Sequence, residues 1–338
     1  MTQHPIDRLG RPLTDLRLSL TDRCNLRCPY CMPREVFGAG YRFLPRRDVL
    51  TFEEITRVAG AAAKLGVAKL RLTGGEPLLR RGVAELVAML AAIPGINDLA
   101  MTTNGTMLSS DLAKALRQVG LKRLTISLDA LDAPTVAVMS GSAIRPEQVL
   151  GGIDHALEAG FAPIKVNMVV QAGVNEHALI PMATHFRHQP VVLRFIEYMD
   201  VGGPRGWQRD QVITAAQIHQ HLDACWPLEP FDATPSQGVA REYRYLDGGG
   251  TIGLIAAVSQ PFCRSCSRLR LSAQGMVHGC LFAPAGLDLR HALRVDRVDD
   301  ERLVALLCGL WQRRDDRYSE LRQVRQGTDR PLMGQLGG

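Results

Sequence analysis

Short apolar runs rich in β-branched residues alternate with longer amphipathic stretches through the first two hundred residues. The pattern predicts strands at residues 16–20, 69–73, 99–103, 124–128, 164–170 and 191–197. Between them it predicts helices at residues 52–65, 83–92, 109–119, 146–159 and 177–188. Thr51 stands where an N-cap belongs, and Gly66 follows the first of these helices. This alternation is typical of successive βα units and a parallel sheet.

The number of βα units predicts an incomplete barrel. Six repeats are fewer than the eight of a closed barrel, so we expect an α/β fold, an incomplete, laterally open (β/α)6 TIM-type barrel. The pattern changes after Asp200, at the Gly/Pro-rich connection VGGPRGW. We therefore expect a barrel over residues 1–200 and a C-terminal segment over residues 201–338 that closes one end. Within that segment the pattern predicts a hairpin at 243–258 and a helix at 299–315.

The predicted strands carry basic residues on the face that points into the barrel. In residues 69–73 the two-residue period places Lys69 and Arg71 opposite Leu70 and Leu72. The apolar face packs against helices, so the cationic face points inward and requires an anionic partner. By the same reasoning, eight more side chains are predicted to point into the barrel: Arg17, Ser19, Thr125, Ser127, Asp129, Lys165, Asn167 and Arg194. The alternative is a set of internal salt bridges with acidic residues such as Asp129 and Glu197.

Composition and charge narrow the class of protein. Of 338 residues, 46% are hydrophobic and 22% charged, and no apolar run approaches the length of a membrane span. The first residues lack a secretory pattern, so we expect a cytoplasmic protein without a membrane partner. The net charge of +6 comes without a long basic block, which does not indicate nucleic acid and is compatible with an anionic small molecule.

Three cysteines follow the first predicted strand with the spacing C-x3-C-x2-C, at Cys24, Cys28 and Cys31. A cubane iron–sulfur cluster takes four cysteine ligands, so three would leave one iron free to bind a reacting molecule. Clustered cysteines in a reducing compartment indicate metal ligands before disulfides. The alternative is a zinc site whose fourth ligand is a distant His or Cys.

A second triple, Cys263, Cys266 and Cys280, has the spacing C-x2-C-x13-C. Taken alone it also fits a zinc site with His278 as the fourth ligand. Two triples in one chain favour two clusters with open irons, facing each other across a cavity. The two remaining cysteines, at positions 225 and 308, stand alone, and we expect both to be core thiols.

Two glycine-containing motifs complete the set. Gly74, Gly75 and Glu76 follow the second predicted strand, where glycines let the backbone approach a ligand closely. The chain ends in Gly337 and Gly338 after a polar stretch. The ordinary interpretation of that stretch is a frayed terminus, and the alternative is a tail that threads into a narrow active-site opening.

The first cysteine triple, with Tyr30 between its last two members, and the G-G-E-P turn resemble the radical S-adenosylmethionine (SAM) superfamily. The second triple, the following R-L-R at 268–270, the K-V-N at 165–167, the R-F-I-E at 194–197 and the terminal Gly-Gly narrow the resemblance. Together these motifs resemble the members that cyclise GTP in the first step of molybdenum cofactor biosynthesis. The resemblance covers nearly the whole chain.

The resemblance implies a role for each motif. It implies two [4Fe-4S] clusters, held by Cys24, Cys28 and Cys31 and by Cys263, Cys266 and Cys280, and it implies SAM as the cofactor that forms a 5′-deoxyadenosyl radical. Contacts to SAM are implied for Tyr30, Gly75, Ser127 and Met199. GTP contacts are implied for Arg17, Lys69, Arg71, Thr102, Lys165, Arg194, Arg268 and Arg270. A catalytic part is implied for Gly337 and Gly338.

The implied partners are GTP, an external electron donor and a downstream pyranopterin monophosphate synthase that receives the product, with a homodimer left open. Two other functions compete with this one. A radical SAM enzyme with an auxiliary cluster and a different substrate would share most of the motifs. A metal-bearing nucleic-acid regulator would need exposed basic and aromatic patches, whereas only 5% of residues are aromatic and the key basic residues face inward.

Overall fold

The computed structural model describes residues 4–201, 207–231, 238–322 and 331–337. Within these ranges the chain forms twelve strands and eleven α-helices. The strands are β1 (Asp15–Ser19), β2 (Lys69–Thr73), β3 (Asp98–Thr103), β4 (Arg123–Ser127), β5 (Ile164–Val170), β6 (Val191–Glu197), β7 (Leu228–Pro230), β8 (Arg241–Tyr245), β9 (Thr251–Ile255), β10 (Arg268–Leu271), β11 (Met276–His278) and β12 (Leu287–Asp288). The helices are α1 (Arg34–Phe37), α2 (Phe52–Lys64), α3 (Val83–Ala91), α4 (Ser110–Gln118), α5 (Ala133–Ser140), α6 (Pro146–Glu158), α7 (Leu179–Phe186), α8 (Ala215–Cys225), α9 (Leu289–Arg294), α10 (Asp300–Gln312) and α11 (Met333–Leu336).

All strands belong to one sheet with the order β12-β11-β10-β1-β2-β3-β4-β5-β6-β9-β8-β7. Eight consecutive strands in this order, from β10 through β1–β6 to β9, are parallel to their neighbours. The six βα strands that the sequence predicts are therefore confirmed as the centre of the sheet. What the sequence pattern missed is that β9 and β10 extend this parallel sheet at both sides. Residues beyond 201 thus flank the six-stranded centre on two edges.

Successive side chains along each strand point alternately to the apolar core and to the inner face of the sheet. Leu16 and Leu18 in β1, and Leu70 and Leu72 in β2, are all at most 1% exposed and belong to the main apolar core. Burying each such leucine contributes about 1.5–3 kcal/mol relative to leaving it in water. Residues of opposite parity on the same strands point to the other face of the sheet, where the parallel strands line a cavity.

The helix boundaries follow local sequence signals. Thr51 caps α2 in a capping box with Glu54, as the sequence predicts. The helix predicted at 177–188 begins later, because residues Glu176–Ala178 form a 3₁₀ turn before α7. Helix α5 was missed; it begins after Asp132, whose side chain accepts a hydrogen bond from Thr135 N. The hairpin and the late helix are confirmed as β8–β9 and α10, each shorter than predicted.

The two lone cysteines differ in their surroundings. Cys308 in α10 is partly buried and packs against the main core. Cys225 is exposed, so its assignment as a core thiol was wrong. It lies at the last position of α8, beyond the buried Ile218 and Leu222, where the helix leaves the core. No helix among the described residues is long and apolar enough to cross a membrane. The division between residues 1–200 and 201–338 stays a prediction.

Candidate functional site

A cavity of about 1000 Å³ lies on the inner face of the sheet. Its wall is built from β1–β6 together with residues of the C-terminal segment, among them Glu242, Phe262 and Phe282. All eight residues for which the resemblance implies GTP contacts line this cavity: Arg17, Lys69, Arg71, Thr102, Lys165, Arg194, Arg268 and Arg270. The inward orientation predicted from the two-residue period is therefore confirmed for the basic residues of β1, β2, β5 and β6.

These basic side chains destabilise one another's charge. Burial, followed by the nearby Arg270 and Arg268, lowers the pKa of Arg17 well below its usual value. Burial and neighbouring arginines lower the pKa of Arg71 to about 10 and that of Arg194 to about 9. Crowded, desolvated cations of this kind are stabilised by an anion placed between them.

Lys165 is the most strongly affected lysine. Its pKa is lowered to about 8, first by burial and then by Arg194, against the opposing effect of Glu242. The ammonium group lies 3.9 Å from the Glu242 carboxylate, which is at the limit of an ion pair. A cation whose pKa lies this close to neutrality gains most when a polyanionic ligand arrives, because the ligand restores its proton affinity.

The alternative of internal salt bridges accounts for only part of this wall. Lys69 pairs with Asp15 at 3.3 Å. The carboxylates named in that alternative bond elsewhere: Asp129 accepts hydrogen bonds from Tyr30 Oη and Val169 N, both at 2.8 Å. Glu197 accepts from Val258 N and Ser259 N, among other donors. Neither carboxylate neutralises an arginine of the cavity wall.

Neutral side chains orient two of the arginines. Arg71 Nη1 donates to Thr102 Oγ1 at 3.1 Å and to Thr125 Oγ1 at 3.2 Å. Arg194 Nε donates to Asn167 Oδ1 at 2.9 Å. These acceptors hold the guanidinium groups without cancelling their charge, so their remaining N–H donors stay available for phosphate oxygens.

The first cysteine triple lies in the loop after β1. Cys28 O accepts from Cys31 N and Met32 N at 2.9 and 2.8 Å, and Cys24 Sγ accepts from Leu26 N at 3.4 Å. All three thiols are half-buried. Burial raises the pKa of Cys24 to about 11 and that of Cys31 to about 12. Thiols whose pKa values are raised in this way favour a metal centre as ligand partner, because a metal stabilises the thiolate form.

The G-G-E-P turn, residues 74–77, is hydrogen-bonded to the backbone of this cysteine loop. Gly75 N donates to Thr21 O at 2.7 Å, and Glu76 N donates to Arg23 O at 2.8 Å. A Cβ atom at Gly75 would overlap the carbonyl group of Arg23. The glycine is thus required where the turn and the cysteine loop meet, and Gly75 does not itself line the cavity. Of the other residues with implied SAM contacts, Tyr30, Ser127 and Met199 do line it.

The three cysteines of the second triple, Cys263, Cys266 and Cys280, all line the cavity, whereas Cys24, Cys28 and Cys31 of the first triple do not. Burial alone would raise the pKa of Cys266, but Arg268 and Arg314 outweigh it and lower that pKa to about 7. His278, the suggested zinc ligand, is 3% exposed and its imidazole lies against Gly286. The Cys266 thiol therefore lies close to cationic side chains, whereas burial raises the pKa of Cys280 to about 11.

The donor sets fit clusters better than single ions. Among the described ranges, no group of three or more His, Cys, Asp or Glu side chains could hold one metal ion. A four-iron cluster binds its cysteines at separate irons, so its ligands need not converge on one point. The described residues therefore give no support to the zinc alternatives for the two triples. Each triple supplies three thiolates, the number of protein ligands that leaves one iron of a [4Fe-4S] cluster open.

The end of the chain lies beside the C-terminal ends of β1 and β2. Gly337 O accepts a hydrogen bond from Arg270 Nη1 at 2.8 Å, and Gly337 has the left-handed φ of 79°. A Cβ atom there would lie 3.3 Å from Ser19 Cβ, beside β1. Just before it, Gly334 packs on Met32, next to the first triple. The interpretation of a tail reaching toward the cavity fits Gly337, and Gly338 lies outside the described residues.

Sequence reasoning gave no catalytic or binding role to two buried carboxyl groups near the first triple, those of Glu76 and Asp129. Glu76, 1% exposed, accepts hydrogen bonds from Thr103 Oγ1 and Asn104 N at 2.6 and 2.8 Å. Burial raises its pKa to about 7 and raises the pKa of Asp129 to about 6. The available signal was their position: each follows the end of a predicted strand, where barrel enzymes place functional groups.

Comparison with known families defines the class of protein first. The model of the radical SAM superfamily matches residues 18–185, and the model Molybdenum Cofactor Synthesis C matches residues 191–320. The crystal structure of Streptococcus suis SuiB bound to S-adenosylmethionine aligns with a TM-score of 0.62 at 15% identity, over 93% of this chain and 68% of that one. That likeness shows the shared fold. The sequence and the fold together are those of a radical SAM enzyme with a partial TIM barrel.

Curated relatives then give the particular family. GTP 3′,8-cyclase of Acidothermus cellulolyticus is 51% identical over 327 residues, covering 96% of this chain and 90% of that protein. GTP 3′,8-cyclase of Xanthomonas axonopodis pv. citri is 47% identical over 339 residues, covering 100% of both chains. The chain belongs to the GTP 3′,8-cyclase family. Membership implies SAM and [4Fe-4S] clusters as its cofactors, in agreement with the two cysteine triples.

Proposed function

We propose that this protein catalyses the SAM-dependent radical cyclisation of GTP to 3′,8-cyclo-7,8-dihydroguanosine 5′-triphosphate, the first step of molybdenum cofactor biosynthesis. The observation that carries the proposal is a single cavity whose wall combines the second cysteine triple with nine lysine and arginine side chains. A triphosphate supplies several negative charges over a short length, which matches that wall. The names of the relatives support GTP as the substrate.

The chain's own residues bind and orient the reactants in this proposal. Arg17, Lys69, Arg71, Lys165, Arg194, Arg268 and Arg270 hold the triphosphate, and Thr102 orients Arg71. Tyr30, Gly75, Ser127 and Met199 form or support the SAM site beside the first triple. When bound, the first cluster and SAM supply a radical that abstracts hydrogen from the ribose. The second triple and Gly337 complete the enclosure, which keeps water and other hydrogen donors away.

The partners and the setting form part of the same proposal. The reaction needs an external electron donor, and its product passes to a downstream pyranopterin monophosphate synthase. We place the protein in the cytoplasm, with the barrel over residues 1–200 and the cluster-bearing closing segment over residues 201–338. A homodimer is compatible with these assignments and is not required by them.

Anaerobic incubation with SAM, a strong chemical reductant and GTP tests the proposal. We expect 5′-deoxyadenosine and cyclised nucleotide to form together with GTP present, and neither to form with Cys28→Ser. Equal amounts of 5′-deoxyadenosine with and without GTP would argue for a different substrate. Iron analysis gives an independent check, because the proposal requires about eight irons per chain, four for each cluster.

A further inference from the structure

Two buried arginines hold the loop of the second cysteine triple by its backbone carbonyl groups. Arg11 Nη1 donates to Cys263 O at 2.8 Å, and Arg314 Nη1 donates to Cys266 O at 2.8 Å. Both arginine side chains are 2% exposed. Arg11 belongs to the segment before β1 and Arg314 follows α10, so two distant parts of the chain converge on this loop.

One carboxylate joins the two arginines. Asp7 Oδ2 accepts from Arg11 Nε at 2.6 Å and from Arg314 Nη1 at 3.1 Å, and the Asp7 side chain is fully buried. Asp7 Oδ1 accepts in addition from the backbone N of Arg11 at 2.9 Å. These two guanidinium groups and one carboxylate carry together one net positive charge, which lies beside the cysteine loop.

Trp311 fixes the geometry of this group. The guanidinium of Arg314 stacks over its ring at 4.5 Å, and Trp311 Nε1 donates to Arg11 O at 3.0 Å. Trp311 is 0% exposed and belongs to the main core. Arg11 Nη1 also donates to Asp316 O at 2.7 Å. The arginines therefore have little freedom to move, which is the condition for positioning a neighbouring loop with precision.

Packing of these side chains does not by itself compensate for the free-energy cost of burying their net positive charge. A buried net charge is unfavourable unless an opposite charge lies close to it. Within the described part of the chain, the buried atoms Arg11 Nη2 and Arg314 Nε find no hydrogen-bond partner. A dicationic four-iron core held by three thiolates carries one net negative charge. The carboxylate of Asp316 lies beside Arg314, and a cluster on Cys263, Cys266 and Cys280 would add a negative charge next to both arginines.

Building on the proposed function, we propose that Asp7, Arg11 and Arg314 are positioning residues of the second cluster. They fix the carbonyl groups of Cys263 and Cys266 and balance the charge of the cluster. Removing a positive charge from this group makes the cluster harder to reduce, whereas removing the negative charge of Asp7 makes it easier to reduce. If these residues had only a structural role, removing a positive charge and removing the negative charge would not shift the reduction potential in opposite directions.

The test uses the full chain with Cys24→Ser, Cys28→Ser and Cys31→Ser, so that only the second cluster forms and no turnover is needed. In this background Arg314→Gln is expected to shift the reduction potential to more negative values, and Asp7→Asn to more positive values. Arg314→Lys keeps the charge and is expected to restore the parental potential. Loss of iron to a chelator is expected at about 10- to 100-fold lower chelator concentration in Arg314→Gln.

Arg187→Gln is the matched control, since Arg187 also stacks on a tryptophan, Trp226, at 4.4 Å and pairs with Asp247. It is expected to leave the potential and the iron unchanged. Equal potentials in Arg314→Gln and Asp7→Asn, shifts of the same sign, or a parent that binds no iron would each overturn the proposal. The GTP-dependent cleavage assay uses the intact first triple, so a failure there would count against the proposed function alone.

Discussion

At the scale of single residues, the cavity is defined by cations that the fold holds in unfavourable proximity. Arg17, Arg71 and Arg194 lie on different strands, yet each has its pKa lowered by burial and by other arginines. An isolated chain gains nothing from this arrangement. The free energy is recovered when an anion binds, because each positive charge then regains a partner.

Because of Lys165, the dissociation constant of GTP is expected to depend on pH. The lysine's pKa of about 8 reflects burial and Arg194, Arg123 and Arg71, opposed by Glu242. A bound triphosphate raises that pKa, so binding takes up a proton at pH values above 8 and weakens by up to about tenfold per pH unit. We expect the dissociation constant of GTP to rise between pH 7.5 and 9.5. Isothermal titration calorimetry measures it directly.

The matched variant is Lys165→Arg, because the ordinary pKa of arginine lies about two units above that of lysine. The titration of Arg194, whose pKa is about 9, is common to both proteins. Comparing the two proteins removes the contribution of ionisation of GTP itself, which is common to both. The same slope in both proteins would show that Lys165 does not bind the ligand as a cation.

At the scale of elements, the contact between the G-G-E-P turn and the first cysteine loop is the most constrained feature. Gly74 has a φ of 149°, and Gly75 faces the carbonyl group of Arg23 too closely for any side chain. The turn after β2 therefore fixes the loop after β1 by backbone contact, and neighbouring strands in parallel register bring the two together.

Gly75→Ala is expected to displace the cysteine loop, because the added methyl group overlaps backbone atoms that cannot rotate away. We expect about half of the iron, the share of the first cluster, to be lost while the second cluster remains. The measurement is iron content combined with the spectra of the two clusters. Gly60→Ala in α2 is the control, since nothing lies within 4 Å of its added Cβ atom. Full iron content in Gly75→Ala would contradict the proposed support.

At the scale of the whole molecule, substrate binding and stability are linked. A ligand that binds only the folded chain, at 100 times its dissociation constant, adds about 2.7 kcal/mol of stability. With an unfolding entropy of about 2.1 cal/mol/K per residue, this raises the melting temperature of a chain of this length by about 4 °C. We expect such a shift with GTP in thermal unfolding experiments, and a smaller one at high salt.

Arg71→Ala is expected to reduce that shift, because it removes charged hydrogen bonds that are typically worth about 10- to 100-fold in affinity. Cleavage of SAM remains possible in this variant. Arg302→Ala, an exposed arginine on α10, is the control and is expected to keep the full shift. Loss of cleavage in Arg71→Ala at a saturating concentration of GTP would argue against a role restricted to phosphate binding.

Much of this molecule could be predicted from its sequence. The period of two in residues 69–73 gave the inward face correctly, since burial on one side and charge on the other leave one orientation for the strand. The C-terminal strands could not be placed, because β9 and β10 pair with β6 and β1 far away along the chain. The contacts of Arg11 with Cys263 were equally hidden, since 252 residues separate the two and neither has a periodic signal.

The crowding of cations in the cavity has a practical consequence for anyone who purifies the protein. Phosphate and sulfate are dianions small enough to enter such a pocket, and guanidinium groups bind their oxygens in pairs. In buffers that contain either ion, the apparent Michaelis constant for the nucleotide will increase with buffer concentration while the maximal rate stays the same. Assays in a zwitterionic amine buffer avoid this competition.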